Sequence, residues 1–265
     1  MLHRRSFVLT AAAAAAASAP AWGQGGADPR LVSLLNGPQR TEANKVRDKF
    51  RHPAETLTFW GLKPGMTVVE IMPGTGGYWT EIIAPYLKAT GGKYIGTGVR
   101  ASRFADEAVF GQVAFVPWGL NSTAMVPAGT VDLVFTSRNV HDWMWTPGWV
   151  DKAMKDFHAA LKPGGLLGVE DHRADSRPMV PEARDGYVST AYMVGEVEKA
   201  GFKLDGKSEI NANPKDTKDH PFGVWTLPPT RRDNQPDKPK PADFNPAKYE
   251  AIGESDRMTL RFKKA

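Results

Sequence analysis

Short apolar runs alternate along the chain with amphipathic stretches, and turn residues separate them. Met66 to Met72 (MTVVEIM) is an almost unbroken apolar run, the pattern of a strand buried on both faces. A glycine-rich loop, Pro73-Gly74-Thr75-Gly76-Gly77, follows it. Tyr78 to Lys88 then places Ile82, Ile83, Tyr86 and Leu87 on one side, which predicts a helix, with Gly91-Gly92 beyond its end. The same reading predicts strands at Lys93–Val99, Val113–Pro117, Val131–Thr136 and Leu166–Val169, and helices over Ala101–Val109, Pro147–Leu161 and Tyr187–Ala200. Phe202–Ile210 and Met258–Phe262 complete the strands. Ahead of them, residues 41–60 form a helical pattern (Val46, Phe50, Leu57, Trp60) interrupted by Pro53. Residues 226–248, rich in Pro, Lys and Asp, predict a long irregular excursion. Strands alternating with helices predict an α/β domain, a parallel sheet covered on both faces.

Composition narrows the function classes. The 265 residues are 41% hydrophobic and 24% charged, which is globular rather than disordered. There is no Cys, so thiol nucleophiles, thiolate metal sites and disulfides are excluded. No apolar stretch is long enough to predict a membrane span. The net charge of +5 raises nucleic acid as a partner, so its location matters. Residues 1–23 read MLHRRSFVLTAAAAAAASAPAWG: a charged start, an apolar run, then small residues. That order predicts a secretory signal peptide, and Arg4-Arg5 matches a twin-arginine export address, so the expected location is the periplasm. Without it the charge falls to +3, with Lys+Arg at 32 against 29 acids. Basic and acidic residues are interleaved, as in Arg47-Asp48-Lys49, which predicts solvated mixed faces and no nucleic-acid stripe. The expected organisation is a signal peptide at 1–23, an extension at 24–44 and one domain over 45–265, of unassigned oligomeric state.

Glycines between a strand and a helix let a ligand approach the backbone, and the N–H groups there favour a polar or anionic group. Glu70 precedes Gly74 and Gly76 at even spacing, with neither a P-loop ending nor a clean dinucleotide fingerprint. Here the chain resembles the class I S-adenosylmethionine-dependent methyltransferases, whose first motif is an acid followed by glycines two, four and six positions on. In this sequence that frame is Glu70, Met72, Gly74 and Gly76. Val131-Asp132-Leu133-Val134-Phe135, Leu161-Lys162-Pro163-Gly164-Gly165 and Val197-Glu198-Lys199-Ala200-Gly201-Phe202 are similar to later landmarks of that family. With Arg47-Asp48 and Arg51-His52-Pro53 ahead of them, the whole resembles a bacterial group of exported methyltransferases. The resemblance implies a Rossmann-like, mostly parallel sheet with an antiparallel last strand. It also implies S-adenosylmethionine as cofactor, held by Glu70, Gly74, Thr75, Gly76 and Asn139, with Trp118 beside the adenine. Two positions depart from it: Met72 replaces the first glycine, and Gly98 stands where an acid usually holds the ribose. Asn121, Arg103 and Asp106 are the available substitutes.

In open α/β sheets ligands bind at the carboxyl ends of the strands. Two polar clusters fall there: Ser137-Arg138-Asn139-Val140-His141-Asp142-Trp143, and Glu170-Asp171-His172-Arg173. His141, Asp142 and His172 are the candidate catalytic residues, as a proton acceptor oriented by an acid. No metal site is assigned, because no His pair has ligand spacing on one helix; a divalent ion on these His and Asp residues is the alternative chemistry. Capping and ion pairing within loops is the structural alternative. Trp143, Trp145, Trp149 and Tyr78-Trp79 are available to wall a pocket or pack a core, and Lys215, Lys218 and His220 predict a solvated loop. The function these readings favour is methyl transfer to a small-molecule acceptor. An exported non-catalytic binding protein and a metal-dependent enzyme are the other classes.

Overall fold

A computed structural model describes residues 26–98 and 101–265. The leader at 1–23 lies outside the described residues. Seven strands form one sheet in the order β3-β2-β1-β4-β5-β7-β6. They are β1 (Thr67–Ile71), β2 (Lys93–Thr97), β3 (Ala114–Val116), β4 (Val131–Ser137), β5 (Leu161–His172), β6 (Phe202–Ser208) and β7 (Arg257–Lys264). All neighbours are parallel except that β7 runs against both β5 and β6. This is the mixed sheet expected from the resemblance. The chain leaves β1 toward β2 on one side and takes up β4 on the other, so a crevice opens where those strands end.

The helices cover both faces. In chain order they are α1 (Pro29–Leu35), α2 (Glu42–Lys45), α3 (Asp48–Arg51), α4 (Pro53–Phe59), α5 (Thr80–Thr90), α6 (Glu107–Phe110), α7 (Val140–Trp143), α8 (Trp149–Ala160), α9 (Thr190–Lys199) and α10 (Pro246–Ile252). One apolar cluster joins α8 and α9 to the sheet through Phe157, Met154, Val197, Val169 and Phe262. The other joins α4 and α5 through Leu57, Trp60, Ile82, Tyr86 and Phe135. In α5, Pro85 removes one helical bond. The carbonyl it leaves free, that of Glu81, accepts from Gln39 Nε2 at 3.5 Å.

Three local expectations change. Residues 41–60 form three short helices: besides the expected interruption at Pro53, where His52 turns into the left-handed region at φ 38°, the chain breaks at Val46–Arg47. The polar stretch at 24–40 contains α1, capped by Asp28, whose side chain accepts from Arg30 N at 2.9 Å. β5 extends from the expected Leu166–Val169 to Leu161–His172, because β4 and β7 pair with it on both sides. Glu170, Asp171 and His172 therefore sit inside a central strand and are buried.

Candidate functional site

Two cavities open at the carboxyl ends of β1, β4 and β5, and Arg138 lines both. The first, about 390 Å³, is floored by the loop from Met72 to Gly77 and walled by Arg47, Arg51, Phe135 and Asn139. The loop turns sharply, with left-handed backbone at Met72 (φ 47°), Gly74 (φ 66°) and Gly77 (φ 46°). Met72 thus holds, at a cost of about 1 kcal/mol, a conformation that a glycine adopts freely. Its N–H donates to Thr97 Oγ1 at 2.9 Å. A Cβ added at Gly74 or Gly76 would meet nothing within 4 Å, so open space lies against the backbone at both.

Glu70, next to last in β1, lines this cavity. Its Oε2 accepts from Tyr94 at 2.7 Å and Thr80 at 2.9 Å. Burial pushes its carboxyl up to about 7, against the pull of those two hydroxyls. A carboxyl raised in the folded state stabilises fully below its unfolded value near 4.5, and that contribution is lost as pH rises through 7. Glu70→Gln is therefore expected to leave stability near pH 4.5 unchanged and to raise it above pH 7 by up to about 3 kcal/mol. Chemical denaturation at the two pH values checks this; equal shifts at both would show that Glu70 is ordinarily ionised.

Behind the cavity lies a buried charge network. Arg47 Nε and Arg51 Nε donate to the two oxygens of Glu254 at 2.6 and 2.9 Å. Arg257 Nη1 donates to Glu254 at 2.7 Å, and its Nε lies 2.8 Å from Glu170 Oε1 without hydrogen-bond alignment. These cations hold the Glu254 carboxyl well below the usual carboxylate range despite its burial. Arg138, left-handed at φ 60°, has no ion-pair partner among the described residues. Burial and the neighbouring Arg51 push its guanidinium down to about 9.

The second cavity, about 150 Å³, is lined by Arg138, His141, Asp142 and His172 and roofed by Trp225, Pro228 and Pro229. Asp171 organises it. One carboxylate oxygen accepts from the N–H groups of Val140 (2.9 Å) and His141 (3.2 Å). The other accepts from His172 N at 2.8 Å and lies 2.8 Å from His141 Nδ1. A carboxylate engaged this way only accepts, so the proton sits on Nδ1 and neutral His141 carries its lone pair on Nε2. That atom lies 3.5 Å from Asp142. Burial lowers the His141 pKa, but the charge and hydrogen bond of Asp171 outweigh it and leave His141 above its ordinary value. His172 goes the other way: burial, His141 and nearby arginines keep it neutral.

The predicted catalytic residues His141, Asp142 and His172 therefore converge, with ring centres of the two histidines 4.9 Å apart. His141, Asp171 and His172 also bring possible metal-ligand atoms within 4.8 Å of one another. Both Asp171 oxygens are already occupied by N–H groups, and Arg138, Arg257 and Arg51 act on His172, so the cluster is arranged for hydrogen bonding rather than for a cation. Glu70, Gly74, Thr75, Gly76 and Asn139 all line the first cavity. Asn139 spends its amide hydrogens on Ile71 O (3.0 Å) and Thr136 Oγ1 (3.1 Å), tying β1 to β4. Trp118, expected beside an adenine, is instead packed against Phe157 and Trp143 and donates to Asp156 at 2.7 Å. It lines neither cavity. Of the substitutes for a ribose acid, Arg103 bonds Glu81 and the Gly76 carbonyl, buttressing the loop, and Asp106 caps α6. Asn121 is exposed. The solvated loop expected at 215–220 is corrected: His220 and Asp216 are buried, 2.8 Å apart, and Tyr187 donates to the same carboxylate at 3.0 Å. Arg47, Arg51, Arg138 and Trp225 are site residues that were not singled out.

Comparison with known proteins agrees with this geometry. No family model matches the chain. It is 30% identical over 137 residues to the ubiquinone/menaquinone biosynthesis C-methyltransferase UbiE of Hydrogenovibrio crunogenus, a match covering 48% of this chain and 50% of that one. The chain thus spans about half the length of this curated relative. Among solved structures, the 4+2 cyclase SpnF superposes with a TM-score of 0.57 at 15% identity, over 89% of this chain and 92% of its own. A SAM-dependent methyltransferase from Aquifex aeolicus superposes with a TM-score of 0.52 at 17% identity, over 90% and 99%.

The chain has the class I methyltransferase fold. The methyltransferase fold places the 390 Å³ cavity at the switch between β1 and β4, where such sheets bind ligands. Fold alone leaves the reaction open, since one of these neighbours is a cyclase.

Proposed function

We propose that this chain transfers a methyl group from S-adenosylmethionine to a nucleophilic atom of a small-molecule acceptor. The observation that carries the reading is the first cavity, where Gly74 and Gly76 leave their backbone bare beside the buried acid Glu70. Glu70, Gly74, Thr75, Gly76 and Asn139 are the residues that would hold the cofactor. When bound, it supplies an electrophilic methyl group. The rest of the work belongs to the chain. His141 accepts a proton at Nε2, and Asp171 fixes the tautomer and stabilises the charge that forms on the ring. Asp142 stands on the far side of the same nitrogen. Trp225, Pro228 and Pro229 line the second cavity beside these groups. The likeness to a C-methyltransferase over half the chain supports the reaction class and leaves the acceptor open.

Calorimetry with the purified protein tests the reading. S-adenosylmethionine and S-adenosylhomocysteine are expected to bind with dissociation constants of about 1–100 μM. Absence of heat for both, with the protein folded, would end it. Export through the leader at 1–23 belongs to the same proposal, supported by its charged start and apolar run. Mass spectrometry of the N-terminus recovered from periplasmic extract should find a chain beginning near residue 24; an intact Met1 there would refute cleavage.

A further inference from the structure

The first cavity holds more positive charge than its own acids balance. Arg47, Arg51 and Arg257 share two carboxylates, those of Glu254 and Glu170, Arg138 pairs with neither, and the one acid in the cavity lining, Glu70, is only partly ionised because burial pushes its carboxyl up to about 7. Three of the four arginines line the cavity, and Arg257 stands behind them. Arg51 is almost fully buried, its side chain 3% exposed, yet its Nη2 has no hydrogen-bond partner. Arg47 Nη2 and Arg138 Nε are buried without partners as well. The Tyr78 ring lies under Arg51 at 4.6 Å and under Arg47 at 5.7 Å, which holds both guanidiniums in place without neutralising either. Buried donors left bare cost free energy, and a buried surplus of like charge costs more. An anion bound at this wall would offset both costs.

S-adenosylmethionine does not supply enough. It carries a sulfonium, an ammonium and one carboxylate, so it adds net positive charge to a cavity that already has a surplus. We propose that the acceptor methylated here is an oxyanion, a small molecule bearing a carboxylate or phosphate group, held by Arg138 and Arg51. This deepens the methyltransferase reading and rests on it. Arg138 is the pivotal contact because it lines both cavities. An anion on its guanidinium is placed between the glycine loop and the His141–Asp171 pair, where a proton acceptor waits. The mixed second cavity, with Asp142 in its wall, does not attract an anion by itself; the arginine wall of the first does. Arg138 is a binding residue in this assignment, and His141 keeps the proton-accepting role.

Linkage turns the idea into a binding experiment that needs no known acceptor. If an anion and S-adenosylmethionine occupy neighbouring sites of opposite charge preference, each must tighten the other equally. The affinity of the full-length chain for S-adenosylmethionine is measured by calorimetry alone, then with phosphate, with malonate and with the neutral malonamide. At least one oxyanion is expected to tighten the cofactor about fivefold or more, with malonamide inert. The phosphate and malonate arms separate a phosphoryl from a carboxylate acceptor. Arg138→Gln should abolish the enhancement while melting no lower than the parent, since it removes a buried charge that has no ion-pair partner among the described residues; Arg51→Gln should weaken it. Cofactor binding that ignores both oxyanions, or an enhancement that survives in Arg138→Gln, overturns the proposal and leaves the methyltransferase reading standing. Failure of S-adenosylmethionine to bind under every condition sinks that reading itself.

Discussion

Replacing His141 by Ala is expected to lower kcat by about 10²- to 10⁴-fold while cofactor affinity changes little. His141 is not among the residues lining the first cavity, and its Nε2 lies at the second. The pH profile makes the assignment specific. The proton acceptor works only as neutral imidazole, so the rate must rise with pH through the His141 pKa. Asp171 and Asp142 hold that pKa above the ordinary 6.5 against the effect of burial. The sign for stability runs the same way: the protonated form is favoured in the fold, a contribution complete below 6.5 and lost as pH climbs through the raised value. Asp171→Asn removes the charge and keeps the shape. It should lower the inflection of the rate profile and reduce its plateau. Steady-state rates across pH 5–9 with a turnover substrate provide the measurement (~5–9 spans the histidine range). A profile unmoved by Asp171→Asn would assign His141 to packing instead.

The part of this site that the linear pattern reveals is the part built from neighbours in sequence. The apolar run before Gly74 and the helix after Gly77 announce β1, its loop and α5, because burial on both faces leaves no polar alternation to confuse. His141 and His172 were legible as strand-end polar residues, since each follows an apolar run. What stayed hidden depends on distant partners. Glu170, Asp171 and His172 read as the end of a strand because they are polar. They do close the strand, but as buried residues paired with Thr259, Met258 and Arg257 of β7. Arg47 read as part of an ordinary mixed surface and Arg51 only as part of a family landmark; the acid that pairs with both, Glu254, lies 203 residues beyond Arg51. Trp118 misled for the opposite reason. Its position after β3 suggested a ligand, whereas its indole fills a core gap beside Phe157. His220 likewise sits among Lys and Asp residues in sequence but is buried against Asp216.

Arg257 is where the fold and the site become one structure, and its loss should be among the most destabilising single changes in the chain. Its side chain is fully buried at the start of β7. It lies against Glu170 of β5, donates to Glu254 ahead of its own strand, and donates to the Phe50 carbonyl in α3. Those contacts keep it charged despite burial. Removing one member of a buried ionic network leaves its partners charged and unpaired, at a cost of about 3–5 kcal/mol. Arg257→Met, which conserves volume, is expected to lose that much in urea unfolding at neutral pH. Glu254 retains Arg47 and Arg51, so the uncompensated group is Glu170, whose remaining partner is the Ser137 hydroxyl at 2.7 Å. Adding Glu170→Gln to Arg257→Met should therefore recover part of the loss, whereas Glu170→Gln alone should destabilise. A loss below about 1 kcal/mol would mean that water reaches these charges and that the network is no more than a surface one. Because the same arginine braces Phe50 beside Arg51, the variant should also bind S-adenosylmethionine more weakly under conditions where it is fully folded. A stability defect without that second effect would separate the scaffold from the cavity beside it; both together tie the positive wall of the site to the sheet beneath it.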